Sequence, residues 1–283
     1  MPEDVRNTLG VTEASYLKPL VYGLSDPRVG LELLVDVPSQ LAVKFQKRTD
    51  SHRCAFLSPI DYARHGGDYL IVPGVGVSSS SRTDTIQLFI NPNTRNIRSI
   101  AVDIRVTSEI ILAKIILAEK FPNEEAVTDA LQFIPMLPNR DAMLSKADAA
   151  LMVNFHPVRP STDEPFVIDL VEEWNEFTGL PYVHGVWVGH DDPGMDEVVA
   201  SLIQVKDRGA EHLAETAEVL SRERNIPREF AQQYFSSFSY SLGDDEQQGF
   251  SEFIRYAYYH GVLGDIPELN FFDPPSPLPQ AVN

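Results

Sequence analysis

A single cysteine in 283 residues leaves no partner for a disulfide within the chain and no basis for a thiolate zinc cluster. Cys54 lies in the apolar run Cys54-Ala-Phe-Leu57, which reads as a small buried hydrophobe and not as a nucleophile. Basic residues are scarce as well: 23 Lys+Arg stand against 41 Asp+Glu, a formal charge of −18. No positive block is longer than Lys47-Arg48, so the clustered cations that a nucleic-acid backbone or an anionic membrane surface requires are missing. Nucleic acid and membrane are therefore excluded as expected partners. No stretch approaches ~18 uninterrupted apolar residues. The opening Met1-Pro-Glu-Asp-Val-Arg-Asn7 has no basic segment followed by an apolar one, and a cytoplasmic protein is expected.

What is present is a chain able to build a core, 43% hydrophobic and 10% aromatic, sized for one large domain or two smaller ones. Short apolar or alternating runs predict strands at 31–35, 54–57, 69–72, 85–90, 99–102, 149–153 and 183–188. Helical spacing between them predicts helices at 39–48, 59–64, 107–121, 140–146 and 169–178. Mixed α/β is the fold class that follows. After Trp187 the pattern turns helical, with segments at 195–208, 211–225, 227–237 and 244–260 punctuated by Asn225-Ile-Pro227 and Ser241-Leu-Gly243. The proline-rich stretch from Asp273 reads as an extended tail.

Several features resemble sites and are better read as structure. Gly74-Val-Gly76 follows a strand but leads into another strand, whereas a dinucleotide fingerprint must open a helix. His184 and His190 share strand parity and precede Asp191-Asp192, yet spacing places no third metal ligand, and His190-Asp-Asp-Pro-Gly194 is a natural strand-exit turn. No metal is expected. Glu172 and Glu173 are adjacent on a helix, about 100° apart, which fits a solvated face better than an acid/base pair. Two segments suit an anion: the hydroxyl-rich Ser78-Ser-Ser-Ser-Arg82 and the strand-to-helix joint Asp103-Ile-Arg-Val-Thr-Ser108. Thr107 and Ser108 can cap the helix, hold a carboxylate, or do both.

These residues also carry a family likeness. Ser15-Tyr-Leu-Lys-Pro-Leu-Val-Tyr-Gly-Leu24, Asp36-Val-Pro-Ser-Gln-Leu41 and Leu57-Ser-Pro-Ile-Asp-Tyr-Ala-Arg64 resemble segments of the chorismate dehydratases of the futalosine route to menaquinone. So do Ala142-Met-Leu-Ser-Lys-Ala-Asp-Ala-Ala-Leu151, the stretch from Asp169 through Glu172-Glu-Trp174 to Trp187, and Tyr240-Ser-Leu-Gly243 with Gly249-Phe-Ser-Glu-Phe253. The likeness runs from about residue 9 to residue 263. It implies a two-lobed fold like that of periplasmic solute-binding proteins (type II), with lobe one at residues 1–91 plus 186–283 and lobe two at 92–185. The implied reaction is loss of water from chorismate, giving 3-[(1-carboxyvinyl)oxy]benzoate, with no cofactor, in the interlobe cleft.

By the same resemblance, Ser58, Ser79, Thr85, Thr107 and Ser108 line the substrate pocket. The chain departs from the family pattern where an Asn-Thr pair is missing and Lys18 stands alone before the proline; Lys18 is the compensating cation expected there, with Arg105 as the other cation that could supply a donor. The family's Ile-Gly-Asp after the Ala-Ala-Leu strand is Val153-Asn-Phe155 here. The matching motifs place no general base, so proton transfer assisted by the substrate's own enolpyruvyl carboxylate is the expectation, with Tyr16 the nearest polar side chain. The alternative is a binding protein for a small carboxylate or aromatic ligand on the same scaffold.

Overall fold

In the computed structural model, residues 7–24, 30–48, 52–65, 67–92, 94–120, 131–158 and 166–273 are described. Among them are ten strands: β1 (Asn7–Val11), β2 (Leu31–Val35), β3 (His52–Leu57), β4 (Leu70–Ser79), β5 (Ile86–Ile90), β6 (Ser99–Asp103), β7 (Gln132–Met136), β8 (Ala149–Val153), β9 (Val167–Asp169) and β10 (Tyr182–Gly189). They form two five-stranded sheets, ordered β2-β1-β3-β10-β4 and β7-β6-β8-β5-β9. Each sheet has three parallel strands followed by an antiparallel one: β10 runs against β3 and β4, and β5 runs against β8 and β9.

The antiparallel strands are where the chain crosses between lobes. It leaves the first sheet after Ser79 and enters the second at Ile86, then returns at Tyr182. The expected boundaries at 91/92 and 185/186 thus fall later than the change of sheet, because β5 pairs wholly with the second sheet and β10 begins its pairing at Tyr182. Three strands went unread in the sequence. β1 is broken in pattern by Gly10, where a Cβ would stand 2.5 Å from Leu41 Cδ1. β7 contains Pro135 and survives because it is an edge strand with one partner. β9 spans three residues.

The helices are α1 (Pro38–Lys47), α2 (Pro59–Ala63), α3 (Ser108–Lys120), α4 (Arg140–Leu144), α5 (Leu170–Thr178), α6 (Met195–Glu211), α7 (Leu213–Arg224), α8 (Arg228–Ser236) and α9 (Asp244–Tyr259), with a 3-10 helix at Ser15–Val21. Proline at the first position starts α1 and α2, where a missing N–H costs nothing. Asp169 caps α5 by accepting the N–H groups of Val171 and Glu172, and Gly179 (φ +71°) ends it. The last expected element, the proline-rich tail, lies outside the described residues after Asp273.

Apolar packing joins the two lobes. A core of Ile71 and Val186 from the first sheet, Leu88 and Ile100 from the second, Leu112 and Ile116 of α3, Trp174 of α5 and Phe250 and Phe253 of α9 is continuous. Trp174 meets Phe253 edge-on at 5.8 Å and donates its indole N–H to the Pro181 carbonyl at 3.3 Å. Gly249 lets α9 approach that same carbonyl: a Cβ there would be 2.2 Å from it. A second core, around Leu9, Trp187, Leu202, Leu220 and Phe235, holds α6, α7 and α8 on the first sheet. Cys54 is fully buried among these residues, and burial pushes its thiol up to about 12.

Candidate functional site

The parallel strands β1, β3, β6 and β8 end in the segments that carry the polar residues between the lobes, the position where open α/β sheets bind ligands. After β1, the 3-10 helix carries Ser15, Tyr16 and Lys18. After β3, Ser58 caps α2: its Oγ accepts the Asp61 N–H at 3.4 Å and donates to the Asp61 carboxylate at 2.7 Å. After β6, the loop from Asp103 leads to Thr107 and the start of α3 at Ser108. After β8 come Asn154, Phe155 and His156.

Contacts across the lobes bring these segments together. The Ser15 N–H donates to the Phe155 carbonyl at 2.7 Å, and the Ser39 N–H donates to the Arg105 carbonyl at 3.2 Å. His156 accepts from Arg224 at Nε2 (2.8 Å), so its other nitrogen carries the proton that faces Ser15 Oγ at 2.9 Å. Two adjoining cavities of about 520 and 500 Å³ share Thr12, Glu13, Val35 and His156. Arg105, Asn154 and Phe155 line the first; Ser15, Lys18, Glu223 and Arg224 line the second.

An aromatic and hydroxyl cluster lies on the first sheet's side. Tyr16 packs against His184 and Phe238, each with ring centroids at 5.5 Å, and Tyr182 meets His184 edge-on at 5.1 Å. His184 Nε2 is 3.1 Å from Ser79 Oγ. Burial lowers the His184 pKa to about 3, so the imidazole is neutral. Burial also holds the Tyr16 and Tyr182 hydroxyls well above the usual phenol range. Ser108 lies beside Tyr182.

The next residue, Glu109, reaches from α3 toward this cluster. Its charge is felt by Tyr16 and Tyr182, and it in turn feels Asp61 of α2 and Asp103 of β6. The side chain keeps a solvent-accessible face, yet desolvation and then the two neighbouring carboxylates raise its pKa to about 7. The backbone N–H groups of Thr107 and of Glu109 itself pull the other way. Among the described residues no cation pairs with it.

The structure brings together four of the six expected residues. Ser79, Thr107 and Ser108 gather around Tyr182, His184 and Glu109, and Ser58 joins through Asp61. Ser78 and Ser79 are buried in the end of β4 and are not part of a loop. Thr85 is buried with its hydroxyl 2.5 Å from that of Thr83, in a turn that Asp169 fastens by accepting the Thr83 and Asp84 N–H groups. Lys18 faces the second cavity in an ion pair with Glu223 at 2.8 Å. Arg105 clasps the fully buried Asp103 with Nε at 2.9 Å and Nη2 at 2.5 Å, and lies over the Phe155 ring. The other cation expected to assist a dianion is therefore also committed to a carboxylate.

His190 is in different surroundings from His184: it stacks on Phe45 at 4.8 Å and hydrogen-bonds the Asp68 carbonyl at 3.2 Å. The residues after it form the strand-exit turn, with the Asp192 N–H donating to the His190 carbonyl at 2.8 Å. Gly74 and Gly76 lie within β4, away from any helix start. Among the described residues no group of three His, Cys, Asp or Glu is placed to hold a metal, and no helix is long and apolar enough to cross a membrane.

With this geometry in view, comparison with known proteins is decisive for the family. Residues 8–259 match the menaquinone biosynthesis family. The chain belongs to that family. Chorismate dehydratase of Thermus thermophilus is 24% identical over 214 residues, which are 71% of this chain and 78% of that protein. A protein of Archaeoglobus fulgidus has the same fold, with TM-score 0.70 and 16% identity over 92% of this chain and 100% of that one. A Candida albicans protein described as having the generic periplasmic binding protein fold has TM-score 0.61 and 12% identity, over 92% of this chain and 91% of its own. The fold is that two-lobed α/β architecture, closed by a helical C-terminal segment.

Within this family member, Glu109 and His156 escaped sequence reasoning. Glu109 had a signal: a lone carboxylate opening Ser108-Glu-Ile-Ile-Leu-Ala-Lys-Ile-Ile-Leu-Ala118, a helix with six buried residues. His156 had none, since its partners Ser15 and Arg224 are 141 and 68 residues away.

Proposed function

We propose that this protein removes water from chorismate to give 3-[(1-carboxyvinyl)oxy]benzoate, as a step of menaquinone biosynthesis, with the substrate in the interlobe cleft. The observation that carries the reading is that Ser79 meets His184 and Ser108 lies beside Tyr182, within the aromatic cluster of Tyr16, His184, Tyr182 and Phe238 next to the start of α3. Family membership and the likeness to a chorismate dehydratase support it. The proton leaves the carbon that bears the enolpyruvyl ether, the hydroxyl leaves the adjacent ring carbon, and aromatisation drives the outcome. The protein has to hold a dianion and stabilise charge that develops on the ring carboxylate and diene, a task suited to fixed hydroxyls and helix N–H groups. Thr107 and Ser108 bind a carboxylate in this reading, Ser58, Ser79 and Thr85 complete the pocket, and the enolpyruvyl carboxylate accepts the ring proton. Lys18 contributes as the paired cation at the cleft mouth.

One observation favours a second reading, a carboxylate- or aromatic-binding protein without this chemistry. The Glu109 carboxylate faces the very N–H groups that a substrate carboxylate would use. Incubating the purified protein with chorismate, following the ultraviolet spectrum and product masses, separates the two. Appearance of the enolpyruvyl benzoate supports the dehydratase. No turnover, with chorismate raising the melting temperature, supports the binding protein. Neither turnover nor stabilisation removes both.

A further inference from the structure

We propose that His156 is a clasp that holds the two lobes together at the cleft, and that it does so only as the neutral imidazole. His156 follows β8 in the second lobe, and both of its ring partners belong to the first: Ser15 Oγ on the 3-10 helix, 2.9 Å from Nδ1, and Arg224 on α7, 2.8 Å from Nε2. A guanidinium has only N–H groups to offer, so Nε2 must present its lone pair. Nδ1 then carries the ring's single proton and donates it to Ser15. The neighbouring residue follows the same path, its carbonyl accepting the Ser15 N–H at 2.7 Å and the Phe155 ring packing against the core of the first lobe.

His156 also stands in the wall shared by the two cavities of about 520 and 500 Å³. Elsewhere the lobes are joined by the continuous apolar core that includes α3, α5 and α9, whose burial does not respond to pH. The join at His156 is polar and does respond. A second proton on the ring removes the lone pair that Arg224 uses and sets two cations against each other.

The other charged groups around the ring have partners of their own. Glu13, after β1, faces the Arg224 guanidinium at 3.5 Å. Lys18 on the 3-10 helix and Glu223 on α7 pair with each other at 2.8 Å. Across the first cavity Arg105 is bound to Asp103, and Asp36 pairs with Lys44 at 2.7 Å. Burial first, then Arg224 and Lys18, hold the His156 pKa below the ordinary histidine value, while Glu13 and Glu223 pull it the other way. Opening the cleft returns the ring to water and frees it from Arg224, so its pKa rises again. The open form therefore binds the proton more tightly than the closed one and gains population as pH falls.

The test is single-molecule fluorescence energy transfer between dyes on Gln232→Cys of α8 and Leu137→Cys after β7, both exposed positions, in a chain whose own Cys54 is fully buried and takes no dye. No substrate is added, so the outcome is separate from that of the chorismate assay. With His156 intact, one high-transfer population is expected at pH 8, and the ratio of low to high transfer rises by about tenfold or more on going to pH 5, the scale of losing one hydrogen bond to a charged group. His156→Gln has an amide oxygen to accept from Arg224 and takes no charge, so it stays in the high-transfer state at both pH values. His156→Ala shows the low-transfer population already at pH 8. Transfer that is constant from pH 8 to pH 5 with His156 intact overturns the proposal, as does a pH response that persists in His156→Gln or an Ala variant that remains closed.

Discussion

His184 Nε2 lies 3.1 Å from the hydroxyl of Ser79, across the adjacent strands β10 and β4, with the rings of Tyr16, Tyr182 and Phe238 closing around the imidazole. This enclosure keeps the ring neutral. Its folded pKa of about 3 is below the ordinary histidine value, so the unfolded chain binds the proton more tightly. Stability is lost as pH falls from about 6.5 toward 3, reaching about 2 kcal/mol from this group at pH 5. Urea melts at pH 7 and pH 5 should show that loss in wild type and not in His184→Gln, and the His184 ring resonances should not titrate between pH 5 and 8.

Glu109 acts in the opposite direction. Its folded pKa, near 7, is above the carboxylate reference of 4.5, so the folded state holds the proton more tightly and stability declines as pH rises between these values. Glu109→Gln should gain about 3 kcal/mol over wild type on going from pH 4 to pH 8, because the buried charge is never formed. Denaturant titrations of both proteins at the two pH values measure the difference; a constant offset would show that Glu109 is not desolvated in the folded state.

Asp169 ties two segments with one carboxylate, capping α5 through Val171 and Glu172 while holding the turn at Thr83 and Asp84. Asp169→Ala removes acceptors for four N–H groups and should cost about 2–4 kcal/mol. Because that turn leads to Thr85, the proposed reaction with chorismate should show a higher KM as well. Asp169→Asn, which retains one oxygen for the cap, should lose less on both measures.

Gly249→Ala tests the close approach of α9 to Pro181. The added methyl would meet a backbone carbonyl at 2.2 Å, which no rotamer change relieves. Overpacking of this kind costs about 1–3 kcal/mol. Trp174, which donates to the same carbonyl, reports the shift through its fluorescence.

Local pattern carried the scaffold and lost its force where contacts are remote. The runs 31–35 and 149–153 are strands with the expected bounds, because alternation and flanking turns are local properties. β4 extends seven residues past Val72, through Pro73 and Gly74, because pairing with β10 overrides those breakers on an edge strand. Of the residues matched by motif, Ser79 lies beside His184 and Ser108 beside Tyr182, while other residues line the two cavities. Motif matching could not show that Lys18 and Arg105 are neutralised by Glu223 and Asp103, nor that Glu109 turns inward, since each depends on which lobe faces which.

The position of β10 also sets the order in which this molecule can come into being. β10 lies between β3 and β4, so β4 has no neighbour in its sheet until residue 189 has been made. The shared core waits longer, for α9 and residues to Leu263. During synthesis, β1, β2 and β3 can pair with one another, but β4 stays unpaired and β3 keeps an open edge while the whole second sheet is completed, edges that invite pairing with other chains. A nascent chain halted anywhere before α9 should be a client for chaperones and sensitive to proteases, and the second lobe should finish folding before the first.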